Sequence, residues 1–318
     1  MTPTQLRAFA AVVRLGSVKD AAAELSVSES AVSLNIGQLR KELGDQLFTR
    51  TAAGLAFTPG GLRLAGRAGE LLGLQDRTII EVGEAARGKR TLRLAASSMF
   101  AEYGAPGLIE LFAARADDLD VELSVRSPSQ FTTLLLTRAA DIAIGPEPPI
   151  PDDAVIIKPI MNLQIVLVVG PGHPLAGGTA SPHQLREQTW LLGPSAAADQ
   201  GAVPALLRRM AVPEEKQRIF QSHAAAIEET KRNQGVAPVL SYAVAQDLAR
   251  GHLIRLNGAQ THLDSVWHAS MLAGRATPQA ASELARFAST PRGIQAMVRG
   301  RGATVGHFKP SIHVTLWS

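Results

Sequence analysis

The stretch Ser17-Val18-Lys19-Asp20-Ala21-Ala22-Ala23-Glu24-Leu25-Ser26-Val27-Ser28-Glu29-Ser30-Ala31-Val32-Ser33 decides the fold of the first quarter of this chain. Ser17 stands three residues before Asp20 and ahead of Val18, Ala21, Ala22 and Leu25, an approximate capping box that opens a helix of about two turns. After a turn at Leu25-Ser26-Val27, Ser28 can cap a further helix that carries Ala31, Val32, Ile36, Leu39 and Leu43 inward. Glu29, Ser30, Ser33, Leu34, Asn35 and Gln38 then remain outside. The small Ala21 and Ala22 let two helices approach closely, and short polar residues at the start of the second suit contact with base edges in a major groove. Upstream, Leu6, Phe9, Ala10 and Val13 recur at helical spacing until Gly16 ends the pattern. Downstream, Phe48 to Gly60 reads as a hairpin with a glycine-containing tip, a wing that places Arg50 and Thr51 beside the groove. A helix-turn-helix that grips DNA and an ordinary three-helix packing unit both fit this pattern.

The residues resemble the LysR-type transcriptional regulators. The resemblance is carried by Phe9 through Ser17, Ala21-Ala22-Ala23-Glu24-Leu25, Val27 through Ser33, Leu39, Glu42-Leu43-Gly44, Leu47-Phe48-Thr49-Arg50 and Thr58-Pro59-Gly60-Gly61. It implies a DNA-binding surface formed by Ser17, Ser28, Glu29, Ser30, Ser33, Leu34, Asn35, Gln38, Arg50 and Thr51. The sequence departs from the family at Glu29, where glutamine is usual, and at Leu34 and Gly37, where basic residues are usual. A carboxylate can accept a hydrogen bond from cytosine N4 but is repelled by phosphate. Gly37 costs a helix interior about 0.8–1 kcal/mol relative to alanine. Unusual base preference, with DNA binding retained, is the expectation.

Pro59 to Lys89 reads as one long helix. Ala65, Ala68, Leu72, Gln75, Ile79, Val82 and Ala86 form a stripe that needs a partner, either the same helix of a second subunit or the chain's own domains. The family resemblance implies a linker-helix dimer, and commonly a tetramer built as a dimer of dimers.

After Gly88-Lys89-Arg90 the pattern changes to short strands alternating with helices, the rhythm of a mostly parallel α/β sheet. Strands are predicted at Leu92–Ala96, Val121–Val125, Asp141–Ile144, Gln164–Val169, Trp190–Leu192, Ile219–Gln221, Val236–Leu240 and Ser265–Leu272. Helices are predicted around Pro106–Ala114, Phe131–Arg138, Pro182–Gln188, Val203–Met210 and Ala224–Asn233, with a final one over Pro278–Met297. Ligands of open α/β units sit beyond the carboxyl ends of strands, where helix N-termini point into the crevice. Ser97 and Ser98, Ser129, Gly145, Ser195 and Ser222 fall at such ends, although serine there is also a favoured helix cap. The resemblance implies that these positions line the cleft of an effector domain with the fold of type 2 periplasmic binding proteins. A small anion or polar metabolite suits hydroxyl and N–H groups without an arginine clamp.

The expected organisation is a winged helix-turn-helix over residues 1–58, a linker helix over 59–90 and an effector domain over 91–300. That domain comprises subdomain I, about 91–161 with 266–300, and subdomain II, about 162–265. Residues 301–318 form an extension in which Ile312, Val314 and Leu316 alternate, an added edge strand or an unstructured end.

Composition limits the alternatives. The chain has 318 residues, no cysteine and 4% aromatic residues, which leaves no thiolate chemistry and little stacking surface for single strands. Residues 1–90 hold 12 Lys and Arg against 9 Asp and Glu, a mild excess of +3. The eight histidines are scattered without metal-ligand spacing. Neither a nucleophile elbow nor a phosphate-binding glycine loop is present. No apolar run has membrane-span length, and the start carries no secretion signal. Taken with the family resemblance, the expectation is a cytoplasmic regulator, not an enzyme, without a cofactor, that binds an inverted repeat in double-stranded DNA. A solute-binding protein or α/β enzyme with structural N-terminal helices, and an architectural DNA binder with an empty sensor, are the competing readings.

Overall fold

The computed structural model describes residues 1–51, 54–150, 152–198, 201–258, 260–274 and 277–299. The chain divides into two compact units, Met1–Arg87 with Leu136–Ala139, and Gly88–Leu135 with Ala140–Ser318.

In the first unit, helices α1 (Pro3–Leu15), α2 (Val18–Glu24) and α3 (Glu29–Leu43) precede a hairpin of β1 (Phe48–Thr51) and β2 (Gly54–Phe57), then α4 (Pro59–Arg87). Thr2 and Gln5 cap α1 reciprocally, and Gly16 ends it in the left-handed region at φ 67°. Leu6, Phe9, Val12, Val18, Ala21, Ala22, Val32, Ile36, Leu39, Leu47 and Phe48 form one buried core. Arg40 ties α3 to the wing: its guanidinium donates to the carbonyls of Gln46 at 2.7 Å and Phe48 at 2.6 Å and lies over the Phe48 ring. The Thr58-Pro59-Gly60-Gly61 motif starts α4. Thr58 Oγ1 accepts from Gly61 N at 2.9 Å and donates to Asp45 at 2.6 Å. The Thr58 hydroxyl, and after it the Leu47 N–H, hold the Asp45 carboxyl below the usual carboxylate range. A Cβ on Gly61 would overlap the Leu47 carbonyl, so only glycine fits there.

The long-helix stripe divides along its length. Leu64, Ala65, Ala68 and Leu72 pack on the first unit's own core, whereas Ile79 and Val82 are exposed at 63% and 67%.

The second unit has a seven-stranded mixed sheet in the order β10-β6-β11-β5-β3-β4, with β9 also paired to β6. Its strands are β3 (Arg90–Ala96), β4 (Leu119–Val125), β5 (Ile142–Gly145), β6 (Val155–Val169), β9 (Ala237–Leu240), β10 (Ile254–Arg255) and β11 (His262–Leu272). A parallel pair, β7 (Trp190–Leu192) with β8 (Gln217–Ile219), makes a small second sheet. One lobe is built on β3, β4 and β5 with α5 (Ser98–Tyr103), α6 (Ala105–Ala113) and α7 (Phe131–Leu136). The other holds β7, β8 and β9 with α8 (Pro182–Arg186), α9 (Ala202–Arg209), α10 (His223–Lys231) and α11 (Ala245–Ala249).

Several expectations are corrected. The strands read as a parallel βαβ set, β3, β4 and β5, do pair in parallel, but the rest of the large sheet is antiparallel, because β6 and β11 run antiparallel to each other and to their other neighbours. These two strands cross both lobes. They carry the expected subdomain boundaries at 161/162 and 265/266, which lie beside a register shift between Trp267 and His268. The strand placed at Gln164–Val169 begins at Val155, and the helix placed over Pro106–Ala114 is preceded by α5. The strand placed at Ile219–Gln221 lies at Gln217–Ile219, because its pairing with β7 runs from Gln217↔Trp190 to Ile219↔Leu192. The single helix over Pro278–Met297 is two, α12 (Gln279–Ala288) and α13 (Pro291–Arg299), since Pro291 starts a new helix capped by the Thr290 hydroxyl on Gly293 N. The extension at 301–318 lies outside the described residues.

Candidate DNA-reading surface and effector cleft

On the first unit, six of the ten DNA-binding residues expected from sequence form hydrogen bonds within their own fold. Ser17 Oγ accepts from Asp20 N, and Ser28 Oγ accepts from Ala31 N at 3.2 Å and lies 2.9 Å from Ser30 Oγ. Each such cap is worth about 1 kcal/mol. Asn35 Nδ2 donates to the Ala31 carbonyl at 2.9 Å, Gln38 Oε1 accepts from Gln5 at 3.1 Å, and Thr51 Oγ1 donates to Gly54 O at 3.0 Å. Glu29, Ser30, Ser33, Leu34 and Arg50 are exposed. Leu34 shows 62% of its surface, amid neighbours that are short or polar.

On the second unit, the expected effector residues form two groups and an outlier. Ser97 is buried, caps α5 by accepting from Phe100 N, and packs where a Cβ on Gly145 would meet it at 2.8 Å. Ser98, half-buried, is the first residue of α5. In the other lobe Ser222 Oγ caps α10 through Ala225 N at 3.1 Å, and Ser195 Oγ lies 2.9 Å from His223 Nε2. Ser129 is exposed and pairs with Ser127 Oγ at 2.9 Å.

Two residues that sequence reasoning passed over join these lobes. Glu102, on α5, accepts from His223 N at 2.9 Å, from Ala224 N at 2.7 Å and from His223 Nδ1 at 2.8 Å. Because an ionised carboxylate only accepts, Nδ1 carries a proton toward Glu102, and the Ser195 hydroxyl is the partner of Nε2. Burial pushes the Glu102 carboxyl up, but the hydrogen bonds from the His223 ring, the His223 and Ala224 N–H groups and the positive field of His223 outweigh it, leaving it below its usual range. His223 itself is only 5% exposed. Two otherwise orphaned N–H groups of α10 are thus satisfied from the opposite lobe. Ser222 was legible as a cap, but no local signal marks a contact that spans 121 residues of sequence. Beside this chain lies a cavity of about 10 Å³, room for one water, lined by Met99, Tyr103, Gly193, His223, Ala226, Pro238, Val239 and Leu240.

Among the described residues no group of His, Cys, Asp and Glu could hold a metal ion, and no helix is long and apolar enough to cross a membrane.

A helix-turn-helix with a wing, followed by a two-lobed α/β domain, is the architecture of a DNA-binding regulator with a sensor domain. Residues 3–62 match the bacterial regulatory helix-turn-helix model of the lysR family, and residues 85–290 match the LysR substrate binding domain. The chain belongs to the LysR family of transcriptional regulators, and its role is regulatory, not enzymatic. It is 56% identical, over the full length of both chains, to the uncharacterized HTH-type transcriptional regulator Rv0377 of Mycobacterium tuberculosis. Among solved structures it resembles full-length CbnR complexed with its target DNA, at a TM-score of 0.54 and 20% identity, covering 91% of this chain and 100% of that one. It also resembles LysG of Corynebacterium glutamicum with bound effector Arg, at a TM-score of 0.56 and 19% identity, covering 91% and 98%.

Proposed function

We propose that this regulator responds to a small anion or polar metabolite that enters the cleft beside the Glu102–His223–Ser195 chain and alters how firmly the two lobes hold each other. The observation that carries the reading is that chain itself: it spans the lobes, and its polar ends are the ones a small polar ligand would have to join or replace. Ser98, one turn before Glu102 on α5, and Ser222, next to His223, flank it, and Ser97 with Gly145 supports the α5 end. No cofactor is needed for this response. A ligand gates DNA binding only through a difference in affinity for the latched and unlatched states.

The protein acts as a dimer through the exposed half of α4, where Ile79 and Val82 suit a second copy, and as a tetramer of two such dimers. It works in the cytoplasm on an inverted repeat, with Ser28, Glu29, Ser30, Ser33, Leu34 and Arg50 toward the groove. A thermal-shift screen of amino acids, dicarboxylates, sugar phosphates and inorganic anions on the full chain tests the effector reading, because a bound ligand must stabilise the folded state. Gel shifts against the region upstream of its own gene should then change with each compound found. Stabilising compounds that leave DNA affinity unaltered would sink the gating role.

A further inference from the structure

On α3 the buried stripe is Val32, Ile36 and Leu39, and the residues opposite it at helical spacing are Ser30, Leu34, Gly37 and Lys41, all exposed. Leu34 therefore stands at the crest of the reading face, directed away from the core. The amides that could have read adenine beside it are engaged elsewhere, Asn35 on the Ala31 carbonyl and Gln38 on Gln5. Gly37, one turn further along the same crest, has nothing within 4 Å of where a Cβ would stand, and its φ is not positive. Neither packing nor backbone conformation within this unit requires glycine there, and helix propensity disfavours it. An exposed leucine and a missing side chain, side by side on the face that meets DNA, suit one chemical feature of the major groove: the C5 methyl of thymine, the groove's only apolar group.

We propose that Leu34 reads a thymine methyl in each half-site, and that the bare backbone at Gly37 lets α3 come close enough for the contact. Recognition here is apolar and steric where a charged or amide side chain would use hydrogen bonds. Glu29, in the first turn of α3, adds repulsion toward phosphate and so increases the share of affinity that must come from fit.

The test uses duplexes selected by the full-length wild-type chain from a random-sequence pool. Each thymine is replaced in turn by deoxyuridine, which deletes one methyl and leaves every hydrogen-bonding group. Fluorescence anisotropy at fixed salt is expected to show wild type losing about three- to fivefold in affinity at one thymine per half-site, the worth of one buried methyl. Leu34→Ala should bind the thymine duplex that much more weakly and no longer distinguish it from the uracil one. Gly37→Ala should raise Tm, because its Cβ meets open space, yet weaken specific binding. The proposal is overturned if wild type ignores every thymine-to-uracil exchange, or if Leu34→Ala discriminates as wild type does. Gly37→Ala binding with undiminished affinity overturns the close-approach part.

Discussion

The start of α3 and the start of α10 share one sequence signature, a serine cap followed by small or polar residues, and they use it in opposite ways. At α10 the first-turn N–H groups, an imidazole and a serine are joined to Glu102 of the other lobe. At α3 Ser28 and Asn35 turn back on their own unit, and what faces outward is Glu29, Ser30, Ser33, Leu34 and a bare glycine. Residue type at a helix start therefore fixes the cap and leaves the function open. What decides function is which hydrogen-bonding capacity remains after the cap is made.

The largest test of that contrast is His223→Ala, which leaves Glu102 and Ser195 without their ring partner and opens a cavity in a buried site. We expect a loss of about 2–4 kcal/mol in urea unfolding. A loss below about 0.5 kcal/mol would mean that the interlobe chain contributes little. Next, Glu102→Gln should cost about 1–2 kcal/mol near neutral pH, since hydrogen bonds to charged groups are the stronger kind. The Glu102 pKa is depressed in the folded protein, so its contribution is complete above the ordinary glutamate pKa and disappears as pH falls through the depressed value. The stability gap between wild type and Glu102→Gln should therefore close on acidification; a constant gap would point to packing as its source. On the DNA side, Arg50→Ala should weaken binding about fivefold on every duplex alike and lower the salt slope by about one. Sequence-dependent losses would instead make Arg50 a base reader. Smallest is Glu29→Gln, expected to raise affinity about twofold and shift base preference; an unchanged preference in a random-pool selection would place Glu29 outside the groove.

Much of this architecture was legible because local periodicity carries it. The three N-terminal helices, the wing and α4 follow from apolar spacing, Gly16 and the Thr58-Pro59-Gly60-Gly61 motif. The first half of β6 was not recognised, because Pro159 argues against a strand; it sits opposite His268, at the register shift where a ladder bond is dispensable. The break between α12 and α13 at Thr290-Pro291 was missed, because the apolar period runs on across it. Of the candidate cleft residues, Ser97, Gly145, Ser195 and Ser222 were read at the ends of strands, and that is where the structure has them. Glu102, which ties His223 and through it Ser195 to the other lobe, comes from a distant segment and left no local trace.

The register shift in β11 also has a mechanical meaning. Since β6 and β11 run unbroken through both lobes, the lobes are joined by a hydrogen-bonded ribbon that resists twisting like a torsion spring, most compliant at Trp267 and His268. A spring alone would give a graded response. Coupled to a catch that is either engaged or released, as Glu102 of α5 against the N-terminus of α10 would be, the same ribbon would yield snap action: elastic strain would accumulate until the catch let go, and the released twist would drive the lobes to a second position.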